Sequence, residues 1–553
     1  MKDTTGTTHS KSSKKADILN SQFSSVFNKD ERGDTIPDKG PSPHCDMPAI
    51  CVGVEGVYKI LTNLQIHKAT GPDNIPCRIL KETAKEIAPM LQLFFQASLD
   101  QGQLPKEWKT ANVVPIFKKG EKSKAENYRP VSLTSVTCKM LEHIVCSSIM
   151  RHLDVHKILH DAQHGFRKRR SCESQLILTV QDLAKNIDNR GQTDLILLDF
   201  SKAFDKVPHK RLLYKINYYG VRNSTLWWIG DFLGGRTQQV LLEGVTSSTA
   251  PVQSGVPQGS VLGPLLFLLF INDLPDAVSE GSAVRLFADD CALYRDIKSA
   301  ADAIQLQEDL NNLQKWEADW LMEFHPKKCQ VLNITNKRKL ITHPYNIHGH
   351  TLDVVDSAKY LGVHIHKSLK WNHHIDQVAK KANNTLAFLR RNFHQCPRNT
   401  KALCYTTLVR PLTEYSSVIW DPYTAENIRK LEMVQRRAAR MVYSNYQTTS
   451  SVSAMLSHLN WMSLQERRAQ AKAVMMYRVV NQQIDIPSQI LVPTISPRGN
   501  NISYLVPYAR TLTYQKSFFP DGIRIWNSLP SVAVCAPSVD SFKFQIQAVN
   551  IRG

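Results

Sequence analysis

The stretch Ala283-Val284-Arg285-Leu286-Phe287-Ala288-Asp289-Asp290-Cys291-Ala292-Leu293-Tyr294 consists of two strand-like runs with two adjacent carboxylates at their joint. That pattern reads as a β-hairpin, although a tight turn would favour Asn-Gly at the joint. Adjacent carboxylates repel each other, and half-burying them is costly unless something positive neutralises the pair. By itself such a pair also fits a solvated turn. A second acidic stretch, Leu198-Asp199-Phe200-Ser201-Lys202-Ala203-Phe204-Asp205, lies 90 positions upstream (289 − 199). It follows the mostly apolar run from Leu195 to Phe200, which reads as a buried strand. Only folding can join carboxylates so far apart in the chain.

Mg²⁺ is the cation that suits three such carboxylates. It keeps most of its octahedral shell as water and phosphate oxygens and accepts only one or two protein carboxylates, so Asp199, Asp289 and Asp290 suffice for a nucleotidyl-transfer site with two ions. Between the acidic stretches lies Ser254-Gly255-Val256-Pro257-Gln258-Gly259-Ser260-Val261-Leu262-Gly263-Pro264, followed by Leu265-Leu266-Phe267-Leu268-Leu269-Phe270-Ile271. A Gly-Pro-rich loop thus enters an apolar helix.

With these blocks in this order, the chain resembles the reverse transcriptases of non-LTR retrotransposons, the LINE-type and jockey-like elements. Further blocks carry the resemblance: Gly71-Pro72-Asp73, Trp108-Lys109, Val113-Val114-Pro115-Ile116-Phe117-Lys118-Lys119, Asn127-Tyr128-Arg129-Pro130-Val131-Ser132-Leu133, Gln163-His164-Gly165-Phe166-Arg167, Lys327-Lys328-Cys329 and Tyr360-Leu361-Gly362-Val363. They span about residues 60 to 365, and similarity continues through Arg410-Pro411-Leu412-Thr413-Glu414-Tyr415 and Ile525-Trp526-Asn527-Ser528-Leu529-Pro530.

The resemblance implies an α+β fold of right-hand polymerase architecture: fingers, a palm with an antiparallel sheet, a helical thumb and a basic C-terminal extension. It implies an RNA-directed DNA polymerase that extends a DNA 3′-hydroxyl along an RNA template, with deoxynucleoside triphosphates and two Mg²⁺ ions. Asp199, Asp289 and Asp290 match the metal-binding aspartates, and the backbone carbonyl of Phe200 would complete the shell. Phe204 matches the aromatic residue under the incoming sugar, where it excludes a 2′-hydroxyl; as a residue alone it is equally a core phenylalanine. Gln258 and Gly259 match the loop that supports the template and the nascent pair, or else form an ordinary turn. Arg129 matches the residue that contacts the triphosphate, a task suited to its planar fork. Lys118 assists it or belongs to a solvated charge run. Lys328 matches the lysine near the departing phosphate; His325 stands where the family more often has Asn, which leaves Lys327 as a substitute. Tyr360 and Gly362 match the primer-grip hairpin or a routine strand and turn.

A net charge of +20 over 553 residues, with a pI near 9.4, favours a polyanionic partner such as an RNA template and a DNA primer or target. The longest strongly apolar stretch, Val261 to Ile271, is broken by Gly263-Pro264 and falls short of the ~20 residues needed to span a bilayer, so no membrane role is expected. With no apolar signal region and eleven cysteines lacking any Cys-x-x-Cys pair, the composition points to an intracellular, reducing compartment, nucleus or cytoplasm. His152, His156, His160 and His164 recur every four residues, a spacing that places them on one helical face.

Expected divisions are a flexible segment over residues 1–45, fingers and palm over 46–365, a helical thumb over 366–450 and a C-terminal extension of unknown role over 451–553. Apolar spacing predicts helices over Val54–Leu64, Ile79–Leu99 and Leu464–Val480, a strand over Ala111–Phe117, and two basic helices with inward stripes at Ile375–Leu389 and Ile428–Met441. No endonuclease activity is evident in the N-terminal segment. On this reading the primer end comes from elsewhere, or the chain is a truncated copy. The alternative function is a catalytically silent, nucleic-acid-binding relic.

Overall fold

The computed structural model describes residues 1–28, 35–494, 500, 502–547, 549 and 551. It is mixed α and β, and the chain divides into two compact units, Met1–Phe166 with Asp199–Val278 and Asp309–His325, and Arg167–Leu198 with Ser279–Glu308 and Pro326–Gly553.

In the first unit a sheet forms around the strand Thr110–Phe117, which pairs antiparallel with Tyr128–Leu133 and parallel with Thr237–Leu242. Its Val113 and Val240 are fully buried against Ala16, Leu19 and Phe23 of the helix Ser12–Ser24. The expectation of a flexible segment over 1–45 is therefore corrected for the described residues, because this amphipathic helix covers one sheet face. Downstream, the Lys39 ammonium reaches Asp273 at 2.7 Å, and the Ser42 hydroxyl donates to the Tyr218 carbonyl. Asp273 also accepts from Lys215 at 2.5 Å and from the Trp316 indole at 3.0 Å. Burial drives the fully enclosed Lys215 ammonium down to about 7, while the Asp273 charge opposes that shift.

The apolar stretch predicted over Ile79–Leu99 is two helices, Cys77–Glu82 and Ala84–Gln101, parted at Thr83. The histidine series does not share a face: the helix Val136–Val155 ends before His156, and Lys157 takes a positive φ of 50° that turns the chain away. His152 instead meets the Tyr219 carbonyl at 2.9 Å through its Nε2.

The second unit is built on a five-stranded sheet in the order Asp353–Val354, Gln330–Thr335, Gln192–Asp199, Asp290–Asp296, Ser282–Phe287. Gln192–Asp199 is antiparallel to Gln330–Thr335, and Ser282–Phe287 is antiparallel to Asp290–Asp296. The two central strands also run in opposite directions. The Ile297 amide, just past the end of one, donates to the carbonyl of Gln192 at the start of the other at 2.7 Å, and Thr193 Oγ1 donates to Asp296 at 2.7 Å. Leu195, Leu332, Ile334 and Ala292 of this sheet belong to one core with Tyr477, Trp526 and Phe542. The region beyond 451 is thus no appendage to this unit: its helices Leu464–Val480, Phe518–Ser528 and Val539–Gln547 complete the core. Lys472 is buried between Asp421 and Asp521 at 3.3 and 2.7 Å.

The helices Asn372–Asn392 and Ala425–Tyr443 pack through a smaller core that includes Ala382, Leu386, Leu389, Val434 and Ala438, as their stripes predicted. Of their basic residues, Arg437 donates to Asn383 and Arg440 to the Gln447 carbonyl.

His374 on the first of these helices is 3% exposed. Its Nδ1 accepts from the His364 amide at 3.2 Å, while its Nε2 has no hydrogen-bond partner. Burial, reinforced by the neighbouring His364, His373 and Lys359, lowers its pKa from 6.5 to about 3. The unfolded chain takes up this proton near pH 6.5 and the folded chain does not, so stability is lost as pH falls from 6.5 towards 3, by up to about 1.4 kcal/mol per pH unit. Urea midpoints measured across this range should fall less steeply for His374→Gln than for the wild type. Parallel curves would contradict the assignment.

Candidate active site

In the second unit the sheet gathers three features at one end. The strand Gln192–Asp199 arrives there with its last residues, and the strand Asp290–Asp296 starts there. The short turn Pro326–Lys328 precedes Gln330, which pairs with Leu197, so Lys328 stands at the same end, exposed. The hairpin turn is Ala288-Asp289, closed by the pair Phe287↔Asp290. The sequence reading placed both carboxylates in the joint; only Asp289 is a turn residue, half-buried, while Asp290 begins the strand and is exposed. Ala288 takes a positive φ of 53°, a conformation that favours glycine and that this turn must hold against strain.

The two-residue turn Leu361-Gly362 between Ser357–Tyr360 and Val363–His366 also has positive φ at both positions, 45° and 86°. That geometry is the primed hairpin turn. A Cβ at Gly362 would lie 2.9 Å from the Tyr415 ring, so this position has no room for a larger residue. The Tyr415 hydroxyl donates to the Leu361 carbonyl at 3.0 Å and fixes the hairpin tip. Tyr360 is buried and accepts from Gln175 at 3.1 Å; burial pushes its phenol far up. The Asp290 charge is near enough to raise the Tyr360 and Cys172 groups further, so the hairpin and the acidic turn share one neighbourhood.

In the first unit, Asp199 and Phe200 run into a short antiparallel bridge with Phe324. The His325 amide donates to the Asp199 carbonyl at 2.7 Å, and the Ser201 amide to Glu323 at 2.8 Å. By the alternation of an antiparallel ladder, the Phe200 carbonyl then points away from the Phe324 strand. Its ring is buried and stacked on Phe324 at 4.3 Å.

Phe204 sits in the turn of helix Ala203–Lys206, half-buried, with its ring stacked on Phe267 at 4.5 Å and 17°. Its carbonyl accepts from the Val256 amide at 2.8 Å. Gly255 has φ +88°, and a Cβ there would meet the Phe204 and Asp205 carbonyl oxygens at 2.6 and 2.7 Å. The Gly-Pro-rich loop therefore closes directly on the Phe204 turn. Gln258 Nε2 donates to Asp205 at 2.8 Å, and the Gln258 carbonyl accepts from Ser132 at 2.7 Å. Gly259, at φ +105°, brings its backbone against Ser132, where a Cβ would lie 2.6 Å from the carbonyl oxygen.

Burial raises the Asp205 carboxyl, while the Gln258 amide and the charges of Lys202 and Arg129 hold it down. The Arg129 charge is thus felt at this turn. Arg129 and Lys118 are both exposed on adjacent strands of the sheet or its end, and the Lys118 amide donates to the Asn127 carbonyl.

Asp205 and Glu142 escaped the sequence reading. Glu142 is fully buried and accepts from the Val261 and Leu262 amides at 2.7 and 3.0 Å, which anchors the loop where it enters the apolar helix Gly263–Ile271. Asp205 stood in the quoted acidic stretch; Glu142 gave no local signal.

Residues 116–365 match the family described as reverse transcriptase (RNA-dependent DNA polymerase). Over that span the chain is similar to reverse transcriptases. Similar curated proteins are the RNA-directed DNA polymerase from mobile element jockey of Drosophila melanogaster, 28% identical over 410 residues, and the probable RNA-directed DNA polymerase from transposon BS of the same species, 29% identical over 417 residues. The probable RNA-directed DNA polymerase from transposon X-element is 26% identical over 411 residues. Each alignment takes in 72% of this chain and 44–45% of the relative, so the chain spans less than half the length of these relatives. The matched span 116–365 encloses Lys118, Arg129, Asp199, Phe204, Gln258, Asp289, Lys328 and Tyr360. Among the described residues no group of three or more His, Cys, Asp or Glu is arranged to hold a metal ion, and no helix is long and apolar enough to cross a membrane.

Proposed function

We propose that the chain is an RNA-directed DNA polymerase of a non-LTR retrotransposon, extending a DNA 3′-hydroxyl along an RNA template. The observation that carries this reading is the end of the five-stranded sheet. A strand terminating in Asp199 runs antiparallel to a neighbour that starts with Asp290 just after the Asp289 turn, all inside the span similar to reverse transcriptases.

The donor set fits Mg²⁺, since carboxylates and the outward-facing Phe200 carbonyl are hard oxygen ligands and the remaining positions fall to phosphate and water. When bound, two Mg²⁺ ions would lower the pKa of the primer hydroxyl and neutralise the leaving pyrophosphate. Asp199 and Asp289 would hold them, with Asp290 as the weaker third ligand. Arg129, with Lys118, would clamp the triphosphate, and Lys328 would stand by the departing phosphate. Phe204 would press on the sugar, Gln258 and Gly259 would support the templating pair, and Tyr360 and Gly362 would position the primer end.

In right-hand terms, the sheet around Thr110–Phe117 would serve as fingers, the Asp199 sheet as palm, and the helices Asn372–Asn392 and Ala425–Tyr443 as thumb. Purified chain given a DNA primer annealed to RNA, deoxynucleoside triphosphates and Mg²⁺ should extend the primer, and chelation should stop it. Steep, salt-sensitive RNA binding without incorporation would favour a silent nucleic-acid-binding relic.

A further inference from the structure

We infer that Tyr415, which lies beyond the matched span 116–365, is a positioning residue for the primer end; this rests on the polymerase reading. Its hydroxyl holds the Leu361-Gly362 turn in the one backbone conformation that sets the primer 3′-hydroxyl against the Asp289 turn.

The first observation is backbone strain. Leu361 takes a φ of 45° in a two-residue turn. For a residue with a Cβ that conformation is costly, and it persists only where the surroundings over-determine it. Tyr415 supplies the constraint twice. Its hydroxyl donates to the Leu361 carbonyl at 3.0 Å, and its ring closes the space beside Gly362, where a Cβ would come within 2.9 Å. One side chain thus holds the first turn residue by its carbonyl and the second by shape.

The second observation is that Tyr415 is itself fixed. The Trp420 indole donates to the Tyr415 carbonyl at 2.9 Å, and the buried Ser416, at φ 50°, turns the chain directly after it. With the hydroxyl proton committed to Leu361, the Cys172 thiol is the donor in its bond to the same oxygen. Cys172 opens the helix Cys172–Asp188, whose start is locked by reciprocal bonds between Ser171 and Ser174. Three residues on, Gln175 donates to the Tyr360 phenol at 3.1 Å. The first turn of that helix therefore grips the hairpin at two points, directly at Tyr360 and through Tyr415 at Leu361. A rigid helix start sets the height of the turn. Misplacing a reacting group by ~1 Å costs about a hundredfold in rate, and relaxing this turn without losing it is expected to cost about tenfold.

Tyr415→Phe keeps the ring beside Gly362 and removes the hydroxyl. Single-turnover incorporation on a matched primer end should slow about tenfold, while incorporation on a mismatched end, already out of line, should change little. Primer–template affinity and the thermal midpoint should stay at their wild-type values. A 2-aminopurine at the primer 3′ end, read in the complex before nucleotide is added, should change its emission in the variant. Unchanged emission with an unchanged ratio of matched to mismatched rates overturns the assignment. So does an equal loss on both ends with a lowered midpoint, which would make Tyr415 a support of the fold alone. Failure of wild type to incorporate on either end counts against the polymerase reading, while the emission comparison still decides Tyr415.

Discussion

Asp289→Ala is expected to reduce primer extension by at least about three orders of magnitude, roughly 4 kcal/mol of transition-state stabilisation at ~1.36 kcal/mol per tenfold. The size follows from what a ligand to catalytic ions does: both the attacking and leaving oxygens depend on the charge it fixes. Stability should change little, because Asp289 is a half-buried turn residue and its hairpin is held by Leu286 and Cys291, which are buried on either side. Single-turnover incorporation with the thermal midpoint as control separates the two effects. Asp290→Ala should cost less than Asp289→Ala, in keeping with the exposed position of Asp290 at the strand start. Equal rates for wild type and Asp289→Ala would remove the proposed site.

The second large effect concerns sugar choice. Phe204→Val should lower discrimination between deoxynucleotides and ribonucleotides by about two orders of magnitude, the range within which apolar pockets reject an added hydroxyl. The ring can act as a wall because it cannot yield: one face is stacked on Phe267 and its carbonyl is tied to Val256. Valine removes the stack as well as the wall, so some stability is lost, about 0.5–1.5 kcal/mol for the aromatic pair itself. The deciding measurement is kcat/KM for a deoxynucleotide and its ribonucleotide on one primer end. An unchanged ratio would return Phe204 to the status of a core residue.

Much of the framework was legible because local pattern and tertiary role coincide. Leu464–Val480 has the bounds its apolar spacing predicted, and the strand around Leu195 and the hairpin at 282–296 follow from apolar strand runs. What failed did so for physical reasons. The hairpin joint was misplaced by one residue because register, set by Phe287↔Asp290, is not written in composition. The histidine series kept helical spacing past a helix that had already ended at Val155. The segment before residue 45 looked too polar to pack, yet Ala16, Leu19 and Phe23 bury one face of a helix there. Glu142 could not be found from sequence, since its partners, the Val261 and Leu262 amides, lie about 120 residues away. The same limit applies to the region beyond 451, whose Tyr477, Trp526 and Phe542 reveal their purpose only in the core they share with the sheet.

The central claim is that Asp199 and the Asp289 turn serve the same bound cations. Iron-directed hydroxyl-radical cleavage tests it most directly, with Fe²⁺ in place of Mg²⁺ and ascorbate and peroxide added to the chain loaded with primer and template. Backbone cuts are expected in both segments, near 199–200 and near 288–290, with both lost on excess Mg²⁺ and in Asp289→Ala. Cuts at one segment alone, or at neither, would contradict it.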